Sequence, residues 1–352
     1  MQRTHRNRKS GSVTIYLVVS MLGILGMGSL AIDIGYAYNV KLQLQNIADN
    51  AAQAAVIELA TQLVALDPVT QSTHLLTANE TQNIKDAAQA ITTLHEAGSQ
   101  QIVLDPTDVE IGRWDYSTST LTITSRAPNS VRVAAHRTSG TNGPISTFLG
   151  SAVGVPEIGI SASATVALTP LGGLGEGDST VPLGISSAWF ANVPDSCDQP
   201  IRFYPTGTLD GCAGWHTYDS HPANAAKLRN ILDGLTDESF VSPAVAAGDS
   251  LNFTGGTLSS AFSNMEDLFE ARRFDEAPFD EMNATVAVYE SGDCSNPTGA
   301  IDVVGFASII ITDVIGPPTK TIDGIVKCNI IEAGSGGGGE FGTSSISVGL
   351  VD

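Results

Sequence analysis

Twenty consecutive residues, Val13 to Ile32 (VTIYLVVSMLGILGMGSLAI), carry no charge and little polarity. As a helix rising 1.5 Å per residue, such a run spans about 30 Å, the hydrocarbon thickness of a bilayer. A soluble core helix rarely continues so far without a charge, so the run predicts a membrane-spanning helix that ends at Asp33. The rival reading is a cleaved signal peptide, because Ser29-Leu30-Ala31 is an acceptable small-x-small cleavage site. Against it, the run is longer than the apolar core of such peptides, and helical periodicity continues past the site. Within the run, Gly23 to Gly28 (GILGMG) has the wrong glycine order for a nucleotide loop. It fits close helix packing in a membrane better.

Charge sets the expected orientation. The 352 residues hold 17 Lys+Arg and 37 Asp+Glu, a net charge of −20. Four of the 17 cations, Arg3, Arg6, Arg8 and Lys9, lie in the first nine positions, which hold no acid. By the positive-inside rule these cations stay in the cytoplasm and everything beyond about Tyr38 lies on the far side. Tyr36 and Tyr38 stand where interfacial aromatics are expected. So acidic a body excludes general nucleic-acid binding, which needs a basic surface. Asp33 reads either as a stop signal for the apolar run or as a contact with another membrane helix, since a carboxylate is tolerable at the interface but costly deeper.

Beyond the membrane, Val40, Leu44, Ile47, Ala51, Ala54, Leu59 and Leu63 recur at mostly three- and four-residue intervals. This is an amphipathic helix running to about Leu66, before Asp67-Pro68, and it joins the apolar span without a break. Its Ala-rich stripe (Leu44, Ile47, Ala51, Ala54) is expected to pack against a partner helix. Thr77 to Ala97 predicts a second helix, with Thr77 and Glu80 spaced as a capping box and Gly98 as its stop. The period then changes to two. Asp108–Ser125 reads as a β-hairpin, Ser130–Arg137 as a third strand and Glu157–Leu168 as a fourth. The aperiodic, Gly-rich 169–180 reads as a linker. After it come strand signals at VPLGIS, ATVAVYES and IDVVGFASIIITDVI, the last read as a buried central strand by its β-branching, with helices near 223–235 and 258–273.

The fold class expected is therefore α+β. Residues 1–12 form a basic cytoplasmic tail and 13–35 a transmembrane helix that continues into an amphipathic helix. Residues 36–168 pack helices on an antiparallel sheet, 169–180 link, and 181–352 form a second, β-rich domain.

The segment GSVTIYLVVSMLGILGMGSLAIDIGYAYNVKLQLQNIADNAAQAA resembles the N-terminal part of TadG-like proteins of the tight-adherence (Tad/Flp) pilus systems. The likeness lies in the Gly-Ser start, the apolar span, the exit Ala31-Ile32-Asp33-Ile34-Gly35, and the helix Leu44-Gln45-Asn46-Ile47-Ala48-Asp49. IGRWD at Ile111–Asp115 and the following PNSVRVAAHR are similar to longer members of the group, and VVGFASIIITDVIGPP with its Gly run more weakly so. The resemblance implies a non-enzymatic, single-pass protein of the bacterial inner membrane, its bulk periplasmic. Its partners would be the membrane and other Tad/Flp pilus-assembly proteins. A minor pilus subunit or surface adhesin is the alternative, and a secreted hydrolase a more remote one. Some relatives carry a metal-dependent adhesion domain whose site begins Asp-x-Ser-x-Ser; no such pentad is read in this chain, so a site of that kind is not expected. Tyr16 stands where prepilin-peptidase substrates carry Glu after the cleavage glycine, so that processing is not expected either.

Cys197, Cys212, Cys294 and Cys328 all lie beyond the span. An even count in an oxidising compartment predicts two disulfides. Pairing 197 with 212 and 294 with 328 encloses the more compact segments and is the expected arrangement. Zinc is not expected, for lack of a C-x2-C pair. His216 and His221 flank Tyr218-Asp219-Ser220, but there is no G-x-S-x-G elbow and no H-E-x-x-H, so turn or surface histidines are expected. The acids Asp275, Glu276, Asp280 and Glu281 lack the alternating ligands and glycine of a calcium loop and read as a solvated face. No cofactor, metal site or catalytic residue is expected.

Overall fold

The computed structural model describes residues 11–193, 195–203, 212–221, 224–255, 259–274 and 281–352. The cations Arg3, Arg6, Arg8 and Lys9, and the acids Asp275, Glu276 and Asp280, lie outside the described residues. The fold is α+β, as the changing period of the sequence predicts. A long apolar helix comes first, then mixed helices and sheet, then a β-rich C-terminal region.

The helix Gly11–Val64 runs 54 residues without interruption. No proline falls within it, and the chain breaks before Asp67-Pro68. Asp67 then caps a short helix, Pro68–Thr73, accepting the Thr70 N–H at 3.0 Å. The long helix has two halves. From Val13 to Ile32 the large apolar side chains described are exposed. From Val40 to Leu63 one side is buried, at Val40, Leu44, Ile47, Ala48, Ala51, Ala52, Ala55, Val56, Leu59 and Leu63. Among the described residues it is the helix long and apolar enough to cross a membrane. The second helix, Ala78–Thr92, starts with the capping box the sequence encodes: Glu80 N–H donates to Thr77 Oγ1 at 3.2 Å and Thr77 N–H to Glu80 Oε2 at 2.7 Å. It stops short of Gly98, because the chain turns into a small hairpin, Glu96–Ala97 with Gln100–Gln101. Ser99 and Gly98, both with positive φ, make the tight turn.

The chain divides into two compact units: 1–54, 85–110 and 132–165 in one, and 55–84, 111–131 and 166–352 in the other. An eight-stranded sheet has the order Ile330–Glu332, Thr343–Leu350, Ile160–Leu174, Ser130–Arg137, Val109–Asp115, Thr120–Ile123. The strands Val245–Ala246 and Ser335–Gly336 pair with Ile160–Leu174 beyond the reach of Thr343–Leu350. The expected hairpin is present, with Asp115 opposite Thr120.

The glycine-rich stretch expected as a linker is, over its first half, packed structure. Thr169–Leu174, expected to belong to a linker, is the second half of the strand Ile160–Leu174. A Cβ at Gly172 would sit 2.7 Å from the backbone of Gly337, and one at Gly338 would collide with the Leu171 carbonyl. The glycines at 172 and 338 allow two backbones to approach more closely than any side chain permits.

The larger unit also contains a seven-stranded sheet whose pairing closes on itself. Thr298–Ile315 pairs with Ser250–Thr254, which pairs with Ala213–His216, then Leu183–Ser186, then in parallel with Met282–Tyr289, and that strand returns to Thr298–Ile315. Thr321–Lys327 and Pro200–Phe203 extend the other side. The β-branched run thus forms the central strand, as its composition predicts. Inside, Trp215 meets Phe262 edge to face at 5.5 Å, and Phe253 lies 4.6 Å from Tyr289. Ser259–Arg272 packs on the central strand and against Ala225–Thr236, where Arg272 donates to the Leu235 carbonyl at 2.6 Å.

Candidate functional site

Asp33 stands one residue past the apolar run and is only 7% exposed. Its carboxylate accepts three backbone N–H groups from a loop more than a hundred residues away: Phe148 at 2.6 Å, Gly150 at 2.9 Å and Leu149 at 3.2 Å. The chain itself occupies the charge that sequence reading left open to a stop signal or another membrane helix. Backbone amides are strong partners for an ionised carboxylate, so the helix and the loop are tied together where the apolar run ends.

Further along, from Tyr36 to Gln43, the helix is gripped again. Gln43 Oε1 accepts the Gly98 N–H at 2.8 Å. A Cβ at Gly98 would stand 2.9 Å from Tyr36 Oη and 3.0 Å from Val40, so the hairpin lies directly on the helix. Arg137, buried at the end of its strand, donates to the Ala97 carbonyl and, from Nε, to the Gly143 carbonyl at 2.8 Å. Its guanidinium therefore joins the 96–101 hairpin to the segment leading into the Asp33 loop. Its five fixed donors suit such a bracket. The sequence signalled none of this for Arg137, which reads simply as the end of a strand.

The expected partner stripe lies on the same helix. Leu44, Ile47 and Ala51 are buried within the chain, and Ala54 is half-buried. Gln45 on this stretch donates to the Ser163 carbonyl at 3.0 Å. The protein's own fold thus takes up most of the stripe. The apolar side chains left for another molecule are those of the first half of the helix, with Leu42 and Ile57 on the second.

A cleft of about 540 Å³ opens beside Lys41 and Gln45, with Asp108, Arg132, His136 and Ser161 in its walls. His136 Nδ1 lies 2.7 Å from Ser161 Oγ and Nε2 3.4 Å from Asp108 Oδ1. These are the residue types of an acyl-transfer triad, at a place where sequence spacing gave no hint of them. The carboxylate contact is longer than a good hydrogen bond, and Ser161 sits on a regular strand rather than a strained elbow. The cluster fits a cross-strand polar network that holds neighbouring strands together.

The second unit corrects three expectations. The disulfides are Cys197–Cys328 and Cys212–Cys294, with Cα separations of 5.2 and 4.4 Å. The compact pairing fails because strand topology, not chain proximity, sets the neighbours. Pro200–Phe203 pairs with Thr321–Lys327 in a register that, continued three residues, puts 197 opposite 328. Ser186 links the other pair: its N–H donates to the Cys212 carbonyl at 2.9 Å and its hydroxyl to the Asp293 carbonyl at 3.0 Å. His216 is not a surface residue but fully buried, edge-on to Tyr218 and Phe253. Burial pushes its pKa down to about 4. His221 is exposed, as expected. Finally, Asp115-Tyr116-Ser117-Thr118-Ser119 does spell Asp-x-Ser-x-Ser. It forms the hairpin turn, where Asp115 accepts from Ser117 N–H at 2.8 Å, Ser117 Oγ at 2.7 Å and Thr118 N–H at 3.1 Å. Those bonds hold its carboxyl below the usual carboxylate range and make it a turn former. Among the described residues no group of three or more His, Cys, Asp or Glu is placed to share a metal ion.

Comparison with known families gives two overlapping matches. A family model for Flp pilus-assembly TadE/G-like proteins matches residues 11–62. A second, for Tad-like Flp pilus-assembly proteins, matches 43–165. Residues 11–165, a little under half of the chain, are thus similar to Tad/Flp pilus-assembly proteins. The matched part includes the long helix, Asp33, Arg137 and the loop that holds Asp33. Neither a curated protein nor a solved structure matches the chain.

Proposed function

We propose that the protein is a non-enzymatic, single-pass protein of the bacterial inner membrane that anchors or assembles Tad/Flp-type adhesive pili through protein contacts. The observation that carries this reading is the continuity of the helix Gly11–Val64 across the Flp pilus-assembly match. One half is apolar and exposed, as lipid requires, and the other is built into a folded body. The cations Arg3, Arg6, Arg8 and Lys9 support a cytoplasmic N-terminus. Two disulfides in the far unit support an oxidising compartment such as the periplasm for the bulk of the chain. On this reading the membrane helix confines the protein to two dimensions, and its exposed first half and the distal unit meet the other assembly components.

The test is an immunoblot for the distal unit after native cells are sheared, comparing filaments with inner membranes. The proposal expects full-length protein in the inner membrane. Its appearance in the sheared filaments would show a minor pilus subunit or adhesin instead.

A further inference from the structure

We propose that the loop 147–155 is a second membrane contact, seated in the interfacial layer of the bilayer that the helix crosses and held there by Asp33. This rests on the membrane-spanning reading of Val13–Ile32.

The loop is built to carry apolar side chains on its outside. Phe148 is 73% exposed, and Leu149 and Val155 are exposed with it. The fold of the loop accounts for this exposure. Its ends are joined by Ile145–Ser146 paired with Glu157–Ile158. The Thr147 N–H donates to the Pro156 carbonyl at 2.9 Å and the Val155 N–H to the Gly150 carbonyl at 2.8 Å. The backbone is thus satisfied internally, and the large side chains are left over. A phenylalanine so exposed on a preformed loop marks a surface that meets something apolar.

Two observations name the bilayer as that surface. First, Asp33 fixes the loop's height. Its three bonds to 148–150 put that backbone level with the residue directly after the apolar run. The neighbouring helix residues Leu30, Ile32, Ile34 and Tyr38 are exposed too, so the apolar surface continues from span to loop. Second, the sequence from Thr138 to Pro156 contains no Asp, Glu, Lys or Arg, a 19-residue gap in a chain that is 15% charged. A loop without charges of its own can lie among headgroups and acyl ends with no ion to desolvate. The bonds also explain how a carboxylate is kept at the bilayer edge, because amides solvate it where water is scarce.

The full-length protein, reconstituted in phosphatidylcholine vesicles, tests this with Phe148→Trp. The native Trp114, Trp189 and Trp215 are buried and give a background measured on the parent protein. Lipids brominated near the headgroup end of the acyl chain should quench most of the added emission, and aqueous iodide little of it. Adding Asp33→Ala to Phe148→Trp should shift the balance toward iodide, because the tether is gone. Met21→Trp serves as the control for the span. If Met21→Trp is quenched by brominated lipid and Phe148→Trp by iodide, the loop is in water and this inference fails alone. If Met21→Trp is open to iodide, the membrane-spanning reading fails with it. If Phe148→Trp is quenched by neither, protein covers the loop, and a second copy rather than lipid is its occupant.

Discussion

His216 shows how much chemistry a single buried side chain can carry without a catalytic role. Tyr218 donates its N–H to Nδ1 at 3.3 Å, aromatic rings stand on two sides, and Nε2 has no hydrogen-bond partner among the described residues. An imidazolium there would lose its hydration without gaining a counter-charge, so the neutral ring is held. The native pKa is pushed down to about 4 from an unfolded value of 6.5. Between those values the unfolded chain binds the extra proton, so stability rises with pH. The contribution is complete above about 6.5 and is lost as pH falls toward 4. A shift of that size corresponds to about 3 kcal/mol. Urea midpoints of the unit that holds His216, read in the intact, detergent-held protein, should fall over this window, and His216→Leu should flatten the fall. An unchanged slope in His216→Leu would mean other groups set the acid sensitivity. The local sequence drew attention to this residue but did not mark it as buried, because burial is decided by strands that arrive from elsewhere.

At the scale of the element, periodicity spoke clearly where one segment forms its own pattern. The break before Pro68, the Thr77–Glu80 capping box and the alternation of Val109–Asp115 are local signals, and the structure reproduces them. The stripe Leu44, Ile47, Ala51 was equally legible as an apolar face, but a pattern does not say whose surface will cover it. Since Ala51 is buried within the chain, Ala51→Glu should act on folding. Forcing a carboxylate and one further methylene into a packed contact costs at least about 3 kcal/mol. A thermal melt of the purified variant should therefore drop or vanish; a normal melt with lost partner binding would return the stripe to the partners. The glycines misled for a related reason. Composition treats Gly as flexibility, whereas Gly172 and Gly338 serve as close-packing points between strands far apart in sequence. Gly338→Ala should cost about 1–3 kcal/mol through its clash with the Leu171 carbonyl, read as a lower urea midpoint.

For the whole molecule, the cysteines measure how much of the fold is non-local. Pairing nearest neighbours in the chain is reasonable when loops are short, but the bonds here join residues 131 and 82 positions apart. That the four cysteines form two disulfides could be read from the sequence; the partners could not, because they depend on the sheet order that sets Pro200–Phe203 beside Thr321–Lys327. Long closed loops restrict the unfolded chain most, and removing one such bridge typically costs about 2–5 kcal/mol. The double variant Cys197→Ser, Cys328→Ser should thus lower the distal unit's stability by that order while leaving Cys212–Cys294 oxidised. A non-reduced digest of the parent protein read by mass spectrometry should yield peptides joined 197 to 328 and 212 to 294. Peptides joined 197 to 212 would contradict the strand order itself, since Cys212 heads a strand inside the closed ring while Cys197 precedes the strand that extends the sheet beyond it. The same digest on protein from a reducing cytosol asks the topological question: free thiols there, with bridges in the native cell, would support the far side of a membrane as the place where this unit folds.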